Sequence, residues 1–274
     1  MTHMSLAHDT EHRLLEAICE VREEPGYALF RSDEFPGFYD GNFVELRPWP
    51  GTRELAELER IYCAHFDRQR FPHLSIMGLS GSGIKGLIPA AQARAASYEV
   101  SRETYLCADQ LDEPPRPLAD DLCIRRVDTP ARWRLMCAFD DAADREQPWY
   151  TPEISAMLSR RRERVSSALD IVWFYVSPRA DEHMLAKLGV FAVTTPAGRV
   201  GRLQDVATSP DHRRRGLASA LVAEALEETL VRRDCTGLYV RADTDDVAIH
   251  MYRRQGFRDV GELYKLFRMR GPEP

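Results

Sequence analysis

The stretch from Leu203 to Leu230, LQDVATSPDHRRRGLASALVAEALEETL, constrains this chain most. Leu203 to Thr208 has the apolar and β-branched content of a strand. Ser209-Pro210-Asp211-His212 is turn chemistry, with proline fixing one φ angle and removing a donor. Arg213, Arg214, Arg215 and Gly216 then lead into a helix in which Leu217, Leu221, Ala225 and Leu226 recur at helical spacing. Glu224, Glu227 and Glu228 fall on the other side of it. A strand, a tight turn and a helix that opens on glycine and arginines make an anion site. The first helical N–H groups have no partner inside the helix, and the helix dipole adds positive potential there. Gly216 lets a ligand approach backbone that a Cβ would obstruct.

The chain of 274 residues is long enough for one large domain or two of ordinary size. Its net charge of -6 argues against a general nucleic-acid binder while leaving room for a local basic pocket. The cysteines Cys19, Cys63, Cys107, Cys123, Cys137 and Cys235 are scattered, with no Cys-x-x-Cys pair. That spacing offers no zinc or redox motif, and no metal is expected. Reduced, partly buried thiols of a cytoplasmic protein are the expectation. The opening residues MTHMSLAHDTEHR lack the apolar core of a signal peptide, and residues 1–12 read as a frayed leader. No apolar run reaches membrane-spanning length, so no membrane partner is expected.

Along the chain, Glu11 to Glu23 reads as a helix, Tyr27–Arg31 and Phe43–Arg47 as strands, and Arg53 to Gln69 as a helix. Between them, Phe35–Tyr39 is an aromatic turn. His73–Gly78 is a strand, followed by a helix near Ile84 to Ser97 and strand character at Tyr98–Val100 and Thr104–Ala108. Gly78, Gly81, Gly83 and Gly86 do not make a Walker loop, because Lys85 is followed by Gly86, and a permissive strand-to-helix turn is expected there. The proline-rich run Leu111–Leu118 is the expected boundary. It separates an N-terminal domain (1–112), across a linker (113–119), from a second domain (120–270). That second domain reads as a strand from Cys123, a helix capped by Thr129-Pro130, a helix from Pro152 to Ser166, and strands at Ile171–Val176 and Met184–Thr194. The central strand and helix follow, then a strand at Leu238–Ala242, a short helix Val247–Gln255 and strand from Phe257 to Met269. The arginine run Arg160, Arg161, Arg162 and Arg164 reads first as an exposed, solvated helix face, with contact to an acidic partner as the alternative.

Arg213-x-x-Gly216-x-Ala218 is similar to the signature of the GCN5-related N-acetyltransferases. A second segment, Ala248-x-x-x-Tyr252-x-x-x-Gly256-Phe257, is similar to a motif of the same family, with Ala248 and Tyr252 on one helix face. The element order β-α-α-β-β-β-α-β-α-β across residues 120–270 also resembles that family. The resemblance implies an α/β (α+β) fold: a mixed, mostly antiparallel sheet flanked by helices, the acyl-CoA N-acyltransferase fold. The smaller N-terminal domain resembles the degenerate half of tandem members, and its expected task is to wall the acceptor cleft.

The resemblance further implies acetyl-coenzyme A as cosubstrate and an amine as acceptor. Its diphosphate would be held by Arg213, Arg214, Arg215, Gly216, Leu217, Ala218 and Ser219, and its pantetheine arm by the backbone of Val206, Ala207 and Thr208. Tyr252 is the expected donor to the thiolate leaving group. An alkyl amine must lose a proton before it attacks, and Asp205 and Glu262 are the candidate bases. His250 lies off the Ala248–Tyr252 face and reads as a surface residue. A homodimer would follow family habit. Two other functions fit the same residues: a non-catalytic coenzyme-binding sensor or scaffold, and a transferase using a different acyl-CoA.

Overall fold

The computed structural model describes residues 2–48, 50–93, 98–112, 114–147 and 150–270. In chain order the elements are α1 (His3–Glu16), β1 (Glu20–Glu24), β2 (Tyr27–Arg31), β3 (Phe43–Leu46), α2 (Leu55–His65), β4 (His73–Leu79), α3 (Ile88–Ala93) and β5 (Glu99–Ala108). They continue with β6 (Leu122–Arg126), α4 (Pro130–Asp144), α5 (Pro152–Leu169), β7 (Val172–Pro178), β8 (Ala186–Thr195), β9 (Gly198–Thr208), α6 (Leu217–Glu227), β10 (Leu238–Asp243), α7 (Val247–Arg254) and β11 (Arg258–Met269).

Two compact units form, and each draws on both ends of the chain. One holds the stretch up to Arg13, Leu106–Ala242 and Asp246–Val260. The other holds Leu14–Tyr105, Asp243–Asp245 and the chain from Gly261 onward. The first residues are therefore no frayed leader. Thr10 and Glu11 of α1 are buried against the first unit, where Glu11 meets arginines of β9 and β10. The helix expected from Glu11 to Glu23 starts earlier and stops at Glu16. Glu20–Glu24 instead pairs with Tyr27–Arg31 as a hairpin, which the positive φ of Gly26 allows.

In the first unit β6, β7, β8 and β9 pair antiparallel in that order, and β10 joins β9 in parallel. Strand alternation gives this sheet two buried faces. Phe174, Val176, Leu188, Val190, Leu203, Leu238 and Val240 meet Leu217, Leu221, Val222 and Ala225 of α6 and Ile249 and Tyr252 of α7. Trp173 and Tyr175 point the other way, toward Met136 of α4. Thr129 caps α4 and Thr151 caps α5, each with proline at the first helical position. Leu221 and Val222 are fully buried, so truncating Leu221 to alanine should cost ~2–5 kcal/mol.

The second unit repeats the central theme. β1, β2 and β3 pair antiparallel, β4 lies parallel to β3 after α2, and β11 closes the unit antiparallel to β4 from Leu263↔Leu79 to Met269↔His73. The order β3-α2-β4 thus matches β9-α6-β10. The start of α2 carries Glu54 and Glu57, and its one neighbouring arginine, Arg53, is turned onto the Gly26 and Arg47 carbonyls, so it suits an anion less than the start of α6. The expected helix from Ile84 to Ser97 is a 3-10 turn, Ile84–Leu87, followed by α3; residues 94–97 lie outside the described residues. Tyr98–Val100 and Thr104–Ala108 merge into the single strand β5. Gly83 takes a left-handed conformation at the start of the 3-10 turn, as a permissive turn requires. The described residues of the proline-rich run Leu111–Leu118 lie outside helices and strands.

Candidate active site

Strand β9 is regular until Gln204 and irregular after it. It pairs with β8 from Thr195↔Gly198 to Gly189↔Gln204, and the next pair is Lys187↔Ala207. Asp205 and Val206 therefore stand opposite Leu188 alone, which defines a bulge. Asp205 has φ +48°, a left-handed conformation that aspartate tolerates better than most residues. On its other edge β9 pairs with β10 only at Gly201↔Leu238 and Arg202↔Tyr239. Both strands run on beyond that point, so among the described residues the later backbone groups of β9 have no ladder partner on the β10 side. An extended chain could add there by main-chain hydrogen bonds.

Beyond Thr208, Pro210–His212 form one 3-10 turn, Arg214 has φ +62° and Gly216 has φ +80°. No side chain caps α6. Ala220 N–H is bonded to the Gly216 carbonyl, which leaves the amides of Leu217, Ala218 and Ser219 without acceptors in the helix. A Cβ on Gly216 would meet nothing within 4 Å, so glycine is needed there for its φ, and the space beside it is open. Arg213, Arg214 and Arg215 are all exposed. Arg213 Nε reaches only the Thr208 carbonyl, at 3.4 Å. Among the described residues, the Arg214 and Arg215 side chains have neither hydrogen bonds nor ion pairs. Uncapped amides, a positive dipole end and three arginines suit a diphosphate.

Helix α7 is fixed at both ends. The Asp246 side chain accepts from Ala248 N–H, and Gly256 at φ +96° ends the helix. Phe257 N–H returns to the Tyr252 carbonyl at 3.1 Å, and the Phe257 side chain is buried. Gln255 Nε2 donates to the Ser219 carbonyl at 2.9 Å, which ties the end of α7 to the first turn of α6. Tyr252 is 3% exposed, with its ring 5.5 Å from that of Phe257. Its hydroxyl makes no hydrogen bond among the described residues. Burial pushes the phenol pKa up, Asp246 adds to the rise, and Arg202 opposes it. The hydroxyl is therefore protonated at neutral pH and able to donate.

The two carboxylates expected as bases are both engaged. Asp205 Oδ2 lies 3.6 Å from Arg162 Nε, and its Oδ1 accepts from Gln204 Nε2 at 2.7 Å. Burial works to raise its pKa, but Lys187, Arg161, Arg162 and Gln204 together outweigh it and hold the carboxyl below its usual range. A base is most effective with a pKa near the working pH, so this environment disfavours Asp205 in that role. Glu262 belongs to the second unit, where it meets Lys85 at 3.4 Å and Arg102 at 3.5 Å and accepts from the Tyr264 hydroxyl at 3.0 Å. His250 is exposed, as its helix position predicts.

The arginine run of α5 needs correction. Arg160 and Arg164 are exposed, but Arg161 and Arg162 are each 8% exposed. Arg162 Nη1 stands 3.0 Å from Asp140, which also holds Lys187 Nζ at 2.7 Å. The carboxylate partners come from α4 and β9, far away in sequence, so the run reads as a solvated face until the chain folds. Sequence reasoning also missed Glu11, whose only signal was a carboxylate at the edge of an apolar helical pattern.

A parallel strand pair that parts beside an uncapped, arginine-flanked helix start is the architecture of an acyl-CoA N-acyltransferase. The chain carries the domain of that fold in sequence as well: the model of the acetyltransferase (GNAT) family matches residues 139–257, and this segment belongs to that family. Solved structures are similar over nearly the whole chain. A conserved protein of unknown function from Staphylococcus epidermidis has a TM-score of 0.72 at 13% identity, covering 92% of this chain and 94% of that one. A GCN5-related N-acetyltransferase from Kribbella flavida has a TM-score of 0.65 at 15% identity, covering 96% and 94%. A tandem GNAT protein from the clavulanic acid biosynthesis pathway has a TM-score of 0.54 at 15% identity, covering 85% and 76%. None of the curated proteins matches the chain. The protein is an acyltransferase of GNAT type, and its β3-α2-β4 repeat is consistent with a tandem arrangement whose N-terminal half lacks the anion loop.

Proposed function

We propose that the protein moves an acetyl group from acetyl-CoA to a primary amine by direct attack in a ternary complex. The observation that carries this reading is the juxtaposition of the open edge of β9 with the uncapped, arginine-flanked start of α6. The diphosphate would lie on the amides of Leu217, Ala218 and Ser219 with Arg213, Arg214 and Arg215 around it. The pantetheine arm would add to the unpaired edge of β9 along Val206, Ala207 and Thr208.

In the reaction the neutral amine nitrogen attacks the thioester carbonyl carbon, the carbonyl oxygen gathers charge, and the C–S bond then breaks. Amides turned out of the ladder at the bulge are suited to stabilise that oxygen. The Tyr252 hydroxyl donates to the departing sulfur. Its phenol is a weaker acid than an ordinary thiol, so its contribution is a hydrogen bond to the thiolate, with solvent completing the protonation. Holding both reactants side by side removes much of the entropic barrier. With Asp205 paired, the amine's proton leaves through water.

Calorimetry with acetyl-CoA tests the binding half, and thiol release over a panel of amines tests the transfer half. Replacing both Arg214 and Arg215 by alanine should weaken acetyl-CoA binding and flatten its salt dependence, since these charges are exposed and screened by ions. Absence of acetyl-CoA binding by the unaltered protein would overturn the reading. Tight binding without thiol release for any amine would make it a coenzyme-binding sensor.

A further inference from the structure

The N-terminal helix places a buried carboxylate across the point where β9 and β10 part. Glu11 is 7% exposed and lies far outside the segment that matches the family. One of its oxygens pairs with Arg202 Nη2 of β9, and the other lies 3.2 Å from Arg241 Nη1 of β10. Arg202 is 4% exposed and Arg241 15% exposed. The neighbouring Thr10 supports the same guanidinium: its hydroxyl accepts from Arg202 Nη1 at 3.2 Å and donates to the Ala7 carbonyl at 2.6 Å. Arg202 Nε in turn donates to the Leu203 carbonyl at 3.1 Å, on the first β9 residue beyond the ladder. His3 adds an anchor to β10, with Nδ1 2.8 Å from the Tyr239 hydroxyl.

These contacts bracket one location. Arg202 and Tyr239 are the last paired residues of the two strands, and Arg241 stands two residues further along β10. Backbone groups that leave a ladder are ordinarily satisfied by side chains or water. Here a single carboxylate spans the two strands through charge-assisted bonds. Placing one anion and two guanidinium groups out of water is costly, and an apolar contact would join a helix to a sheet at less expense. What the ionic bridge supplies and an apolar contact does not is a fixed distance between two side chains that belong to different strands.

We propose that Glu11 is a positioning residue that sets the separation of β9 and β10, and so the width of the slot that receives the pantetheine arm. The inference rests on the coenzyme reading above. It assigns the N-terminal helix a task in the acyl-donor site, although that helix lies outside the acetyltransferase segment. Glu11 touches no reacting atom and acts through Arg202 and Arg241.

The test compares two ligands by calorimetry: acetyl-CoA, which carries the pantetheine arm, and adenosine 3',5'-bisphosphate, which lacks it. Glu11→Gln keeps the shape and removes the charge. It should weaken acetyl-CoA binding about tenfold or more through lost preorganisation of the slot, and change bisphosphate binding little. Glu11→Asp should recover part of the loss. Arg241→Gln, which breaks the β10 arm at a less buried position and keeps the Glu11–Arg202 pair, should show the same selectivity and covers the case in which Glu11→Gln does not fold. A general loss of structure would weaken both ligands together. Equal loss of both ligands, or no loss of either, in the folded variants overturns the proposal. Failure of the unaltered protein to bind acetyl-CoA overturns the coenzyme reading, and the clamp falls with it.

Discussion

Arg202 and Tyr239 face each other as the last pair of the β9–β10 ladder, and the unpaired stretch of β9 begins just beyond them. The bulge at Asp205 follows three residues later on β9, and the turn into α6 follows Thr208. The same strand therefore presents unpaired backbone first and then an uncapped, arginine-flanked helix start, in the order in which an extended thioester and its diphosphate would occupy them under the proposed reading.

Gly216 is the most exacting position in that loop. Its φ of +80° is a conformation that side chains rarely adopt, while the space around it is open. Gly216→Ala should cost ~1–2 kcal/mol of stability through backbone strain alone. If the loop relaxes to escape that strain, the amides of α6 lose their common direction and acetyl-CoA binding weakens further. Gly216→Asn should be milder on both counts, since asparagine tolerates the left-handed region. Chemical denaturation and calorimetry on the two variants check this; equal effects of alanine and asparagine would show that φ is not what the position demands.

Tyr252→Phe separates chemistry from packing. The hydroxyl makes no hydrogen bond within the described residues, so its removal leaves no protein group unpaired and stability should change by under ~1 kcal/mol. Acetyl-CoA affinity should hold while turnover falls about 100- to 1000-fold, the range for loss of one positioned donor. Steady-state thiol release against calorimetric affinity reads the split. Unchanged turnover would remove Tyr252 from the mechanism.

Asp205→Asn asks whether that carboxylate is a base or a brace. Asparagine keeps the tolerance for φ +48° but removes one anion from a group that contains Lys187, Arg161 and Arg162. A brace predicts lower stability, by ~1–3 kcal/mol for a buried partner left unpaired, with the pH dependence of turnover unmoved. A base predicts loss of the acidic limb of the pH–rate profile. The depressed carboxyl pKa points to the first outcome, and a lost acidic limb with normal stability would reverse the assignment.

The central part of the fold could be read in the sequence because its signals are local. The strand before Thr208, the proline turn, Gly216, the apolar stripe of α6 and the Gly256-Phe257 stop each act within a few residues, and each forms as its neighbours dictate. Features set by distant partners could not be read this way. Arg161 and Arg162 look like surface charge until Asp140 and Asp205 arrive from other elements. Glu11 looks like the edge of a leader until Arg202 and Arg241 close on it. Val21 continues the apolar spacing of the first helix, yet the Gly26 turn folds it into a hairpin instead. Asp205 was visible as a candidate residue, but its left-handed bulge depends on register with β8, which no single segment encodes.

His73 gives the second unit a pH signature of its own. It is fully buried on β4, with its ring 4.6 Å from Tyr39 and 6.0 Å from Phe267. Nε2 meets the Asn42 carbonyl at 3.0 Å, which requires the tautomer that carries its proton there, and Nδ1 is sealed without a partner among the described residues. Burial lowers its pKa to about 4, with Lys265 and Arg270 adding to the fall and the Asn42 bond and Asp40 opposing it. The unfolded chain binds the proton near the ordinary histidine value of about 6.5, so it takes up the proton first as pH drops. Stability is therefore fully present above about pH 6.5 and declines as pH falls toward 4, by ~3 kcal/mol in all. Replacing His73 by glutamine keeps a donor for Asn42 and removes the titration. Urea midpoints measured from pH 7 to pH 4 should fall more steeply for the unaltered protein than for the variant; parallel curves would mean that His73 is not the group that titrates.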